Sequence, residues 1–172
     1  LFCKAATNGR ATPWHQDGQY WPIRPLATVT AWIAIDPVDE DNGCLRVIPG
    51  SHHDRVLHEH ARNDSSALIL NQELSAEQRG PTPPRSLILE PGQFSLHDVY
   101  MIHGANPNTS GRRRGALAFR FMPATSHYDR ELAKRQAEKM GLHSMVNRTL
   151  FMASGADASG KNDITKLPAA SK

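Results

Sequence analysis

The chain has 172 residues, 39% of them hydrophobic and 22% charged, with a formal net charge of +3. This is the composition of one globular domain that can bury a core without staples. It excludes a strongly basic nucleic-acid binder, and no apolar run approaches the ~20 residues of a membrane span.

Twelve Gly and twelve Pro point to strands joined by turns. Residues 1–6 read as a short strand, followed by turn signals at Asn8-Gly9 and Thr12-Pro13. The segment Trp14-His15-Gln16-Asp17-Gly18 comes next, then an irregular passage marked by Pro22 and Pro25. Residues 28–35 are rich in β-branched and aromatic side chains and predict a strong strand. An acidic turn at 36–43 leads into a strand at 44–48. The weakly patterned stretch 51–84 has the length of a lid or binding loop, with one helical turn at 75–79.

Strands resume at 86–89, 93–97 and 99–103. A long alternating strand follows at 115–122, with Leu117, Phe119 and Phe121 on one face. A capping box at Ser126-His127-Tyr128-Asp129 opens a helix over 128–140, which Gly141 stops. The expected organisation is a mainly β domain over 1–153, built as a sandwich or barrel with a C-terminal helix. A flexible tail is expected over 154–172. The two cysteines, Cys3 and Cys44, are expected as buried free thiols, since they make no disulfide framework. The chain opens within a strand and not at Met, so an upstream segment is expected. No signal-peptide pattern is seen, and the default expectation is a cytoplasmic location.

His15 and Asp17 form an H-x-D pair. In extended chain, residues two apart point to the same side, so both can reach one metal ion. His103 lies at the end of an apolar stretch, followed by Gly104. Two imidazoles and one carboxylate on a facial triangle suit Fe(II) and leave three positions open. A bidentate 2-oxo acid can take two of these, and O2 the third. Such an acid needs a cation for its far carboxylate, and a guanidinium fork matches it well. Arg114 lies eleven residues beyond His103, where a neighbouring strand would begin.

In order and spacing, several motifs resemble the phytanoyl-CoA dioxygenase family over about residues 1–122. They are His15-Gln16-Asp17, the Trp32 strand, Asn42-Gly43-Cys44-Leu45, Pro49-Gly50-Ser51-His52, Ile102-His103-Gly104, Asn108 and Arg114. The resemblance implies a double-stranded β-helix, also called a jelly roll or cupin-like fold, with the family's N-terminal portion lying outside the chain. It implies iron ligands at His15, Asp17 and His103, and 2-oxoglutarate bound by Arg114 with Trp32 and Asn108 in its pocket. It implies a hydroxylase that uses O2 and 2-oxoglutarate and releases succinate and CO2. Related halogenases have a small residue in place of the carboxylate, so Asp17 favours hydroxylation.

Tyr20, Trp21 and Arg24, together with Gln16, follow or interrupt the metal motif and are candidates for the mouth of a small-molecule substrate site; rim packing is the competing reading. His97 is expected in a core strand, in a supporting role. His52, His53, His58 and His60 interleave with charged residues as a solvated loop would. A one- or two-residue slip in register would make Arg112 or Arg120 the anchor instead of Arg114. Two other functions compete with the oxygenase: a non-catalytic cupin-like metal-binding protein or inactive fragment, and a zinc hydrolase. No residue pattern speaks to substrate identity or oligomeric state.

Overall fold

The structure, a computed structural model, describes residues 1–141 and 143–166. The strands in chain order are β1 (Phe2–Lys4), β2 (Thr12–His15), β3 (Ile23–Arg24), β4 (Val29–Ala34), β5 (Leu45–Val47), β6 (Ala61–Arg62), β7 (Gln72–Glu73), β8 (Arg85–Leu87), β9 (Phe94–Asp98), β10 (His103–Ala105), β11 (Arg114–Phe121) and β12 (His127–Tyr128). The α-helices are α1 (Ala76–Arg79) and α2 (Arg130–Met140). The chain divides into two compact units, Leu1–Gln19 with Val29–Phe121, and Tyr20–Thr28 with Met122–Lys172.

The first unit carries two four-stranded sheets, ordered β1-β11-β4-β9 and β2-β10-β5-β8. Every pairing in them is antiparallel, as expected for a jelly roll. One core cluster joins Trp32, Ala34, Val38, Cys44 and Ala116. A second joins Ile48, Leu74 and Ile102, with Trp14 packed against it. Strand alternation decides which side chains face in. On β4 these are Thr30, Trp32 and Ala34. On β11, Arg114, Ala116, Ala118 and Arg120 share the face opposite to Leu117, Phe119 and Phe121. Those three large residues do share a face, but it is the outer one: Phe119 is 50% exposed, and Phe94 and Leu96 of β9 are 58% and 63% exposed. The inward positions of β11 begin and end with arginine, Arg114 and Arg120.

Four sequence expectations change here. The apolar stretch at 99–103 is not a strand ending at His103. Residues 99–102 turn, with the Met101 amide donating to the Asp98 carbonyl at 3.0 Å and the Tyr100 amide to the Asp98 carboxylate at 2.8 Å, and β10 begins at His103. Val99 and Ile102 are buried by packing, so their apolar character did not report a strand. Cys3 is exposed, because it alternates outward on edge strand β1 while Lys4 turns inward; only Cys44 is buried. The stretch 51–84 is not free-standing loop. It contributes the β6–β7 pair, the capped turn α1 and the fully buried Leu74. Ser126 does not cap a helix: its hydroxyl donates to the Pro25 carbonyl.

In the second unit, β3 pairs with β12, and Trp21, Ile23, Tyr128, Ala133 and Met145 form a cluster. Helix α2 starts two residues later than expected. Asp129 is its N-cap, accepting from the Leu132 amide at 2.8 Å, and Gly141 ends it in the left-handed region. Asp157 accepts hydrogen bonds from Ser159 and Asn162, while the Asn162 side chain accepts from the Tyr128 amide. Residues 167–172, the end of the stretch expected to be a tail, lie outside the described residues. No helix among the described residues is long and apolar enough to cross a membrane.

Gly43 closes the turn between β4 and β5 at φ +79°, and a Cβ there would meet the Asn106 carbonyl at 2.6 Å. Gly43→Ala is expected to cost roughly 1–3 kcal/mol in urea denaturation. Gly111→Ala, where a Cβ would have nothing within 4 Å, is expected to unfold with the parent.

Candidate metal centre

Strand β2 delivers His15 as its last residue, and the chain then enters a 3-10 turn at Asp17–Gln19. The H-x-D pair is therefore not one extended segment. Asp17 reaches the site because the chain turns, and the Gly18 amide, donating to the Val99 carbonyl at 3.0 Å, holds that turn. Strand β10 lies antiparallel to β2 with His103 opposite His15, which brings the ring centroids to 4.2 Å. One ligand atom from each of His15, Asp17 and His103 lies within 4.8 Å of the others, and all three residues are buried. His15 Nε2 and His103 Nε2 stand 3.7 and 3.9 Å from Asp17 Oδ1. Neighbouring ligands about 2.1 Å from one ion are about 3 Å apart, so the set fits an ion after a contraction of under about 2 Å.

Backbone carbonyls orient both rings. His15 Nδ1 lies 2.8 Å from the Pro13 carbonyl, and His103 Nδ1 lies 2.9 Å from the Met101 carbonyl. Those partners only accept, so a proton belongs on each Nδ1, and Nε2 is the nitrogen turned towards Asp17. Burial alone would raise the Asp17 carboxyl. The hydrogen bond from His15 and the charges of His103, Arg120 and His15 outweigh it and hold the group well below the usual carboxylate range. Burial, reinforced by His15, pushes His103 well below its ordinary value, which favours the neutral form that can ligate a metal.

The three consecutive arginines have three separate fates. Arg112 pairs with Asp39 at 2.6 Å, and Arg113 forks onto Asp36 at 2.7 and 2.9 Å; both are exposed. Arg114 points inward, 5% exposed, with its charge 5.2 Å above the Trp32 ring. It makes no hydrogen bond or ion pair with any described residue, and its Nε is buried without a partner. Lys4 lies opposite Arg114 in the sheet register and is also buried. Burial, helped by the Arg114 charge, lowers its ammonium to about 8. Its Nζ donates to the Arg10 carbonyl. Arg120, the other candidate anchor, pairs with Asp17 at 3.7 Å.

Gln16 is fully buried. Its amide nitrogen donates to the Val56 and Tyr100 carbonyls, and its oxygen accepts from the His58 amide. It braces the 56–60 segment and leaves no free amide proton for a substrate. Asn108 is likewise fully buried. Its side chain donates to the Arg112 and Lys4 carbonyls and accepts from Ser110, so it shapes the loop before Arg114 and has no free group for a cosubstrate. Tyr20, Trp21 and Arg24 belong to the second unit. There Trp21 packs in the apolar cluster, and Arg24 is exposed and donates to the Ile23 carbonyl.

Lys4, Thr30 and His60 were missed. The alternation of the Trp32 strand already placed Thr30 on the inner face. For His60 the sequence held no signal. It is buried, not solvated: its Nδ1 lies 2.9 Å from the His58 carbonyl and its Nε2 accepts from the Gln16 amide at 3.0 Å. Burial lowers it to about 4.

In the unfolded chain His60 titrates near 6.5, above its folded value, so below that pH the unfolded state takes up a proton that the folded state refuses. The stability from neutral His60 is complete above about pH 6.5 and is lost as pH falls towards 4. Urea midpoints measured from pH 7 to 4 are expected to fall in the parent and to fall less steeply in His60→Gln. Equal slopes would contradict this role.

The chain matches the profile of the phytanoyl-CoA dioxygenase (PhyH) family over residues 1–116. The peroxisomal phytanoyl-CoA dioxygenase of Bos taurus is 31% identical over 133 residues, covering 74% of this chain and 39% of the bovine protein. A probable alpha-ketoglutarate-dependent hypophosphite dioxygenase of Stutzerimonas stutzeri is 30% identical over 118 residues, covering 68% of this chain and 41% of that protein. The solved structure of EvdO2 from Micromonospora carbonacea var. aurantiaca, complexed with 2-oxoglutarate, superposes with a TM-score of 0.59 at 29% identity, over 70% of this chain and 48% of that one. The chain thus spans less than half the length of each of these proteins. The profile match covers more than half of the chain, and the chain belongs to the phytanoyl-CoA dioxygenase family.

Proposed function

We propose that this chain is the catalytic portion of an Fe(II)- and 2-oxoglutarate-dependent dioxygenase. It would hydroxylate an unactivated C–H bond of a small organic molecule, with release of succinate and CO2. The observation that carries this reading is a buried guanidinium with no hydrogen-bond or ion-pair partner among the described residues, on the sheet face that also lines the metal triad. A buried unpaired charge is costly, and a protein keeps one where a ligand supplies the opposite charge. A non-catalytic metal binder would need the triad but not Arg114.

In this proposal His15 Nε2, His103 Nε2 and Asp17 Oδ1 hold the ion. Thr30 and Trp32 are successive inward residues of β4, roughly 7 Å apart. Thr30 touches Asp17, and Trp32 lies under Arg114. The row therefore leads from the metal position to the guanidinium over a span that suits a short dicarboxylic acid. Arg114 would bind the far carboxylate of 2-oxoglutarate as a fork, and Lys4 would add a second positive charge. When bound, Fe(II) with 2-oxoglutarate supplies the activation of O2. The chain excludes water, orients the imidazoles through their Nδ1 protons, and keeps Asp17 ionised. The hypophosphite dioxygenase relative is named for a small substrate, and a small-molecule substrate is part of this proposal. So is a cytoplasmic location; the peroxisomal address of the bovine relative is that protein's own.

Anaerobic titration of the apo-protein with Fe(II) and 2-oxoglutarate is expected to give a visible metal-to-ligand charge-transfer band. His15→Ala should abolish the band. Arg114→Ala should keep it but require about 10- to 100-fold more 2-oxoglutarate, the size of a lost charge-assisted hydrogen bond. A folded parent without the band would overturn the proposal.

A further inference from the structure

Asp17 presents its two carboxylate oxygens to two different sets of residues. Oδ1 faces His15 and His103. Oδ2 faces a row of three side chains that crosses the inner face of the first sheet. Strands β11, β4 and β9 are neighbours, and their register sets Arg120 opposite Thr30 and Thr30 opposite His97. The Thr30 hydroxyl donates to Oδ2 at 3.1 Å, Arg120 Nε stands 3.7 Å from it, and His97 Nε2 stands 4.0 Å from it. Thr30 is 1% exposed and His97 is 6% exposed. Three strands thus converge on one atom.

We infer that the Arg120–Thr30–His97 row is a positioning device that makes Asp17 a one-oxygen ligand. The inference rests on the metal site proposed above. A free carboxylate can chelate an ion through both oxygens. With Oδ2 held by the row, only Oδ1 remains to meet the metal. An ion with six positions and three protein donors then keeps three positions open. Chelation by both oxygens would fill one of the three that the cosubstrate and O2 require. Thr30 does most to aim the carboxylate, since it is the member within hydrogen-bond distance. Arg120 and His97 surround the same oxygen from either side, and Arg120 is itself braced by the Phe2 ring at 5.5 Å. None of the three touches the reacting atoms in this scheme; they act through Asp17.

The test uses the 172-residue chain and Mn(II) alone, so it needs no substrate and no turnover. Mn(II) affinity is measured by calorimetry. Bound water is counted from the broadening of the Mn(II) EPR signal in 17O-water. The parent should hold about three waters on the metal. Thr30→Val keeps the shape and removes the donor. It should bind Mn(II) about 10- to 100-fold more weakly, the usual effect of losing a group that orients a ligand, and should hold fewer waters. Thr30→Ser, which keeps the hydroxyl, should restore both readings. Arg120→Gln, at the other end of the row, should shift both in the direction of Thr30→Val, and it decides the matter if Thr30→Val does not fold. Parent-like affinity and water count in Thr30→Val would overturn the inference. So would a Thr30→Ser variant that behaves like Thr30→Val, since the role would then be packing. His15→Ala separates the two levels: if it binds Mn(II) as well as the parent does, the metal site itself is wrong and the row falls with it.

Discussion

The buried carboxylate of Asp17 is the constraint around which the first unit is organised. An anion removed from water is tolerated only where donors and positive charges surround it. Asp17 meets this condition from both sheets. His15 and His103 come from β2 and β10, while Thr30, His97 and Arg120 come from β4, β9 and β11. The hydrogen bond from His15 and the charges of His103 and Arg120 overcome the burial penalty and keep the group ionised. The polar residues on the inner faces are thus a coordinated set, and they explain why the larger apolar residues of β11 point outward.

Backbone geometry fixes the rest of the centre. The antiparallel register of β10 on β2 sets one imidazole opposite the other, and a carbonyl two residues upstream of each ring takes its Nδ1 proton. Both histidines use the same local device, so each arrives with the same nitrogen directed inward. Behind the motif, Gln16 and His60 tie the turn to the segment at 56–60. That segment reads as loop in sequence, but it acts as the back wall of the ligand turn. The same division of labour governs the arginine run. Strand alternation turns Arg113 outward to Asp36 and Arg114 inward over Trp32, so neighbouring residues of one type end in opposite electrostatic environments.

Much of this was legible in the sequence. The β-branched run at Trp32 and the alternation after Arg114 located β4 and β11, and turn residues bounded most other strands. The order and spacing of His15, Asp17 and His103 pointed to the group of ligand-bearing residues that the fold brings together, while the diacid role of Arg114 rests on the family resemblance and belongs to the proposal. The errors have one source. Val99 and Ile102 are apolar because they pack in a turn, and Cys3 is exposed because its strand lies at an edge; neither fact has a local signature. Gln16 and Asn108 sit inside motifs but have their hydrogen bonds committed to the backbone of distant segments.

The sequence by itself determined the inventory: which residues could ligate a metal, which arginine run could supply a cation, and that strands would carry them. Tertiary structure decided the assignments. Only the register of β10 against β2 made a pair of His15 and His103, and only the register across β11, β4 and β9 gathered Arg120, Thr30 and His97 on one oxygen of Asp17. The physical reason is that periodicity is local, whereas register and burial are set by segments about ninety residues apart, His15 and His103 among them.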